Sequence, residues 1–235
     1  MTQHIMRLDS INRDKIIRLY QEKDYPISNG VNICGVRAID QVSNRFDDVF
    51  VVFDKHTTMV VRGTTDPGLY YLKNPLSVNG CAIVPEGFHK DIWSRGLHKG
   101  KYSALVQTGN IRVIRDYNKD NLINYTIPQL ATADNLDKTT YKDANRIYNQ
   151  SNNQISKIVN FYHNNVKYVL QFGLFGINFH KASDKVDLAE VGQYSAGCQV
   201  VQRLVDYNKV IDFMYKDSAK RFSYALFNQD DYDRV

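Results

Sequence analysis

The sequence predicts a mainly β domain with a few helices (α+β), and three observations carry that expectation. Runs of β-branched and aromatic residues recur at Val49 to Phe53, Met59 to Arg62, Ile111 to Ile114, Val166 to Phe172 and Phe222 to Phe227. Sixteen tyrosines and eleven phenylalanines suit pleated, half-buried surfaces better than helices. Helical apolar spacing is confined to two segments, near residues 11–20 and 200–215. With 235 residues and 43% hydrophobic content, one domain spanning 1–235 has enough apolar surface for a real core.

Taken in order, Ser10 is the expected cap of a short helix whose Ile11, Ile16, Leu19 and Tyr20 share a face, ended by Pro26 and Asn29-Gly30. Residues 1–30 thus read as an N-terminal helical extension. The strands at Val49 to Phe53 and Met59 to Arg62 are joined through Asp54-Lys55-His56-Thr57 as a hairpin, with His56 in solvent. Thr64-Thr65-Asp66-Pro67-Gly68 reads as a turn in which Pro67 fixes one φ and Gly68 takes a positive φ. Ala82 to Val84 and Ala104 to Gln107 read as short strands flanking a loop that carries His89, Asp91, Trp93 and His98. Two histidines and an acid at that spacing match no standard zinc pattern, so no metal is assigned and His98 is read as a cleft residue.

Asp116, Asn118 and Asp120 alternate like the start of a calcium loop. Asn121 stands where such a loop needs glycine and Ile127 where it needs glutamate, so a polar turn is expected. Residues 128–165 are rich in Asn, Asp, Thr and Lys and read as a surface insertion or a lid. Strand character returns at Val166, the chain then delivers His180, a helix follows from Val200 to Tyr215, and Phe222 to Phe227 closes the fold.

The net charge of +5 favours an anionic polymer such as cell wall or nucleic acid by long-range attraction. The basic residues are scattered and no nucleic-acid motif is present, so no nucleic-acid partner is expected. Cys34, Cys81 and Cys198 form an odd set without CxxC spacing, which argues against a disulfide framework. Met1 to Asp9 lacks an apolar signal-peptide core, and no window approaches the roughly 18 apolar residues of a membrane span. The expectation is synthesis in the cytoplasm without a signal peptide and no membrane partner.

Chemistry concentrates between Gly176 and Arg203. An apolar run ends in His180, and the small-residue turn Ser195-Ala196-Gly197 ends in Cys198. A thiol near neutral pH is only a few per cent thiolate, so a nucleophilic cysteine needs an imidazole or a helix N-terminus to activate it. Cys198, read as opening the helix, would have both, with His180 just past a strand end as its base. Gly197 permits a tight turn whose Gly197 and Cys198 amides can face a developing oxyanion, and Ser195 caps the helix. The competing reading makes Cys198 a small buried hydrophobe and His180 a core histidine.

Fourteen residues separate His180 from Ser195, and Ser195-Ala196-Gly197-Cys198 follows. This resembles the signature of the L,D-transpeptidase (YkuD-like) catalytic domain. Thr64 to Gly68, Gly96 to Tyr102 and Ala104 to Gln107 are similar to blocks of a divergent phage and bacterial group with the same Ser-Ala-Gly-Cys-Gln box, from about residue 47 to the end. Two positions depart from standard members: Ala196 replaces a histidine and Val200 a common arginine. The resemblance implies an L,D-transpeptidase-like β-sandwich with peripheral helices, Cys198 as nucleophile, His180 as base, and Ser195 and Gly197 lining the acyl site, with no cofactor. It implies a phage-endolysin-like cysteine enzyme that cleaves or transfers peptidoglycan stem peptides through a thioester, with hydrolysis favoured. Its site of action would be the bacterial cell wall, after release or as a virion component. The alternative from another class is a non-catalytic virion or wall-binding protein that keeps the fold. Oligomeric state is left open.

Overall fold

The run Asp48-Val-Phe-Val-Val-Phe53 is buried at every position, which a strand achieves only when both of its faces are covered. The computed structural model, which describes residues 6–39, 43–119, 145–149, 154–163 and 166–235, shows what covers them. Eight strands close into a barrel, in the order β1 (Asn32–Arg37), β13 (Phe222–Asn228), β5 (Gly87–His98), β6 (Tyr102–Gln107), β11 (Phe179–Lys181), β12 (Gln199–Val201), β3 (Thr58–Thr64) and β2 (Asp48–Phe53). The strands form this barrel rather than the expected sandwich, because each of the eight pairs with two neighbours around the ring and no edge is left open.

Alternate residues fill the interior. Phe50, Trp93, Phe179 and Tyr224 meet there, with ring centroids 5.1 Å apart for Phe50 and Phe179 and 4.8 Å for Trp93 and Tyr224. Outward residues Cys34, Val36, Val49, Val51 and Phe53 pack under helix α1 (Arg13–Glu22), which buries Ile16, Leu19 and Tyr20 on them. The N-terminal helix is therefore packed into a second core. Its cap is Asn12, whose side chain accepts from the Asp14 amide, and Ser10 sits in a preceding 3-10 turn.

A second sheet has the order β4 (Ala82–Ile83), β7 (Ile111–Arg115), β10 (Val166–Gly173), β9 (Gln154–His163) and β8 (Asn145–Asn149). Strands β8 and β9 fall within the stretch 128–165 read as a surface insertion or a lid. The remainder of that stretch, residues 128–144, 150–153 and 164–165, and Asp120 lie outside the described residues. Helix α2 (Leu69–Lys73) follows Gly68, α3 (Leu204–Lys216) packs Tyr207, Val210, Ile211 and Met214 into the barrel core, and α4 (Gln229–Arg234) ends the chain. No helix among the described residues is long and apolar enough to cross a membrane.

The hairpin β2–β3 forms as expected, with the Asp54 carboxylate accepting from the His56 and Thr57 amides and His56 exposed. The polar stretch read as a loop is instead the long strand β5. It carries a positive φ of 51° at Asp91 and a register shift against β13, a bulge that hides strand periodicity in sequence. His89 is buried in it, bonded to the Pro85 carbonyl and stacked on Tyr224, and no cluster of three metal-ligating residues exists among the described residues.

Trp93 is fully buried and its indole N–H donates to the Ile177 carbonyl at 2.7 Å, beside the site described next. Trp93→Ala leaves a cavity and an orphaned carbonyl. We expect a loss of about 3–5 kcal/mol, read as a lower denaturant midpoint; an unchanged midpoint would remove Trp93 from the core account.

Candidate active site

Cys198 does not open a helix. The next three residues form β12, paired in parallel with β11 and antiparallel with β3, and α3 starts six positions after the cysteine. Val201 belongs to the strand, although its spacing to Leu204 and Val205 imitates a helix face. β-branched Val200 and Val201 fit a central strand flanked on both sides, and the thiol has no helix N-terminus to lower its pKa. His180 likewise lies in the middle of β11 rather than past its end.

The β11–β12 pair sorts residues by alternation. Phe179 and Val201 point into the barrel core, and Gln199 points inward to accept from the Tyr224 hydroxyl at 2.7 Å. Asn178, His180, Cys198 and Val200 therefore share the outer face. Against that face the second sheet leaves a cavity of about 780 Å³, whose lining includes His98, Asn178, His180 and Cys198 from the barrel and Arg115 and Gln171 from the sheet.

The turn before the thiol is fastened from inside. Ser195 is wholly buried, its hydroxyl donating to the Cys198 carbonyl at 2.9 Å and accepting from the Gly197 amide at 3.2 Å. Ser195 neither caps a helix nor lines the cavity; it holds the loop. Gly197 also lies off the cavity wall. Its φ of 119° and the Ala82 carbonyl 2.4 Å from where a Cβ would sit exclude other residues. Because the Gly197 N–H is spent on Ser195, the Cys198 amide is the candidate oxyanion donor that remains. Gly68 is tied to this loop through its amide, 2.9 Å from the Ser195 carbonyl. Its φ is −75°, so the expected positive φ is corrected; a side chain there would strike the Gly192 carbonyl instead.

Around the imidazole the tautomer follows from partners. The Lys181 carbonyl lies 2.7 Å from His180 Nδ1 and can only accept, so Nδ1 carries the proton and Nε2 keeps its lone pair. The His98 ring stacks on His180 at 4.0 Å between centroids, and the Asn178 amide donates to His98 Nδ1 at 3.1 Å. Lys181 Nζ sits 4.2 Å over the Tyr102 ring. The Cys198 thiol donates to the Gly176 carbonyl at 3.4 Å and accepts from the Asn178 amide at 3.5 Å; among the described residues it makes no hydrogen bond to an imidazole.

Burial dominates the electrostatics. It pushes the Cys198 thiol up to about 11, against the lowering pull of the Asn178 amide and Lys99. It pulls His180 down to about 3, helped by His98, and His98 down to about 4, helped by Lys99. The resting pair is a neutral thiol beside a neutral imidazole, not an ion pair. Cys81 is pushed further, to about 12, and Cys34 well above its ordinary value.

His98, Cys198 and His180 share the cavity, whereas Ser195 and Gly197 act from behind it. Sequence reasoning missed Asn178, although its two-residue spacing from His180 places both on one strand face. It also missed Arg115 and Gln171, for which no local signal exists. Compared with protein-family models, curated proteins and solved structures, the chain matches none.

Reactivity of the thiol should follow its burial. Alkylation of Cys198 by iodoacetamide should rise about tenfold per pH unit from 7 to 10, as the thiolate fraction does below a high pKa, and should outpace Cys81 and Cys34. Peptide mapping of the labelled protein checks this. A rate already level across pH 6 to 8 would mean a preformed thiolate–imidazolium pair.

Proposed function

We propose that the protein is a cysteine acyl-transfer enzyme acting on peptidoglycan stem peptides, with hydrolysis as its main outcome. The observation that supports this best is a thiol and an imidazole with a free Nε2 on one wall of a substrate-sized cavity. The Ser195-Ala196-Gly197-Cys198 resemblance supplies the substrate class.

In this reading a peptide carbonyl enters the cavity and displaces the weak thiol contact to Gly176. Cys198 Sγ attacks the carbonyl carbon while His180 Nε2 takes the thiol proton, so no free thiolate has to persist in the buried site. Collapse of the tetrahedral intermediate breaks the C–N bond and His180 returns the proton to the leaving amine. A water then attacks the thioester, passes a proton through His180 to the departing sulfur, and releases the acid. A second peptide amine in place of water gives transfer. His180 stays in the correct tautomer because Lys181 holds Nδ1.

One observation favours a second reading, a wall-binding protein without turnover: the resting thiol is bonded to Gly176 and Asn178 rather than to the imidazole. Variants separate the two. Cys198→Ala should abolish release of new termini from purified peptidoglycan, measured by mass spectrometry at matched folded-protein concentration. His180→Gln should cost on the order of 10² to 10⁴, and Cys34→Ala should leave turnover unchanged. If Cys198→Ala binds wall and cuts it as fast as the parent, the thiol mechanism fails; if neither protein cuts but both bind, the binding reading stands.

A further inference from the structure

The cavity has an electrostatic character that the thiol and imidazole do not explain. Its lining holds two cations, Lys99 and Arg115, and no aspartate or glutamate among the described residues. Lys99 is exposed on the β5–β6 turn, and it lies close enough to weigh on the titration of His98, His180 and Cys198 alike.

Arg115 ends β7 on the opposite wall and is more deeply placed. Its Nε donates to the Gln171 side-chain oxygen at 2.5 Å, its Nη1 reaches the Gly80 carbonyl at 3.4 Å, and the guanidinium lies 5.0 Å over the Phe175 ring. Every one of these partners is uncharged. No carboxylate among the described residues lies within ion-pair distance of it, and Nη2 takes no part in the bonds that fix the group. A half-buried guanidinium that is oriented but not neutralised is costly to keep unless a ligand supplies the charge. Burial lowers it only to about 10, so it remains a cation at neutral pH.

We propose that Arg115 is a specificity-determining residue, which anchors a carboxylate of the peptide whose carbonyl is presented to Cys198. The guanidinium fork suits a carboxylate in two-point contact, which a lysine in its place would not reproduce. Gln171 and Phe175 fix the plane of the fork and leave its free edge for the ligand, and Lys99 adds attraction at the mouth. This rests on the reading of the cavity as a peptide site. In a stem peptide the carboxylate has two sources, the C-terminus and the free α-carboxylate of the isoglutamyl residue.

The test uses the full chain carrying Cys198→Ala, so that binding is read without turnover. Titration calorimetry compares the tetrapeptide L-Ala-γ-D-Glu-L-Lys-D-Ala with its C-terminal carboxamide and with its isoglutamine form. One of the two amidated peptides should bind at least tenfold more weakly than the parent peptide and so names the source. Adding Arg115→Gln should bring all three to within about twofold of one another, and Arg115→Lys should retain part of the preference. Melting curves confirm that the variants are folded; if Arg115→Gln is not, Arg115→Lys carries the comparison. Equal binding of all three peptides, or a preference undiminished in the folded Arg115 variants, overturns the anchor. Failure of the function reading looks different: the carboxylate preference and its loss persist while the wild-type thiol gives no turnover.

Discussion

The site depends on the parallel pairing of two three-residue strands, Phe179–Lys181 and Gln199–Val201. Pairing alone sends Phe179, Gln199 and Val201 into a packed barrel and leaves Asn178, His180, Cys198 and Val200 outside. Slipping either strand by one residue would turn the imidazole into the barrel core and a phenylalanine toward the cavity, so core packing itself specifies the placement of His180 and Cys198. The inward side adds a second lock, since the Gln199 amide bonds Tyr224 on one side and the Thr65 carbonyl on another. This buried polar chain ties the turn that carries the thiol to the barrel interior.

The same burial that fixes the geometry also silences it. With the thiol raised to about 11 and the imidazole lowered to about 3, burial favours the neutral form of both at rest. Under the proposed mechanism the charged state arises only when a carbonyl is in place to absorb it, which restricts thiol chemistry to bound peptide. The carbonyl contact of His180 Nδ1 serves where many sites use a carboxylate, and it fits a cavity whose described lining carries no acid.

Much of the local structure was legible because periodicity reports it directly. The β2–β3 hairpin and the closing strand β13 follow from runs of β-branched and aromatic residues, and the existence of α3 from its 3.6-residue spacing at Ile211 and Met214. Failures occurred where two periods overlap or one is broken. Val201, Leu204 and Val205 mimic a helix face across a strand, a turn and a helix, so Cys198 was given a helix dipole it lacks. Strand β5 is hidden by its bulge at Asp91, and β1 by its internal glycine and the polar Asn32 and Arg37 at its ends. Closure of the barrel had no sequence signal, since β1 and β13 come from opposite ends of the chain. For the site, the thiol, the imidazole and His98 were readable as residue types at a spacing. Arg115 was not, because it reaches the cavity only through the docking of a second sheet.

The proposed acylation of Cys198 is best checked by trapping the acyl-enzyme. The protein would be incubated with an amide-linked stem peptide, quenched in acid within seconds and analysed by intact mass and peptide mapping. The expected result is an added mass equal to the acyl fragment on the peptide containing Cys198, removed by neutral hydroxylamine as a thioester is. Cleaved peptide accumulating with no adduct on Cys198, or with the adduct on another residue, would contradict it.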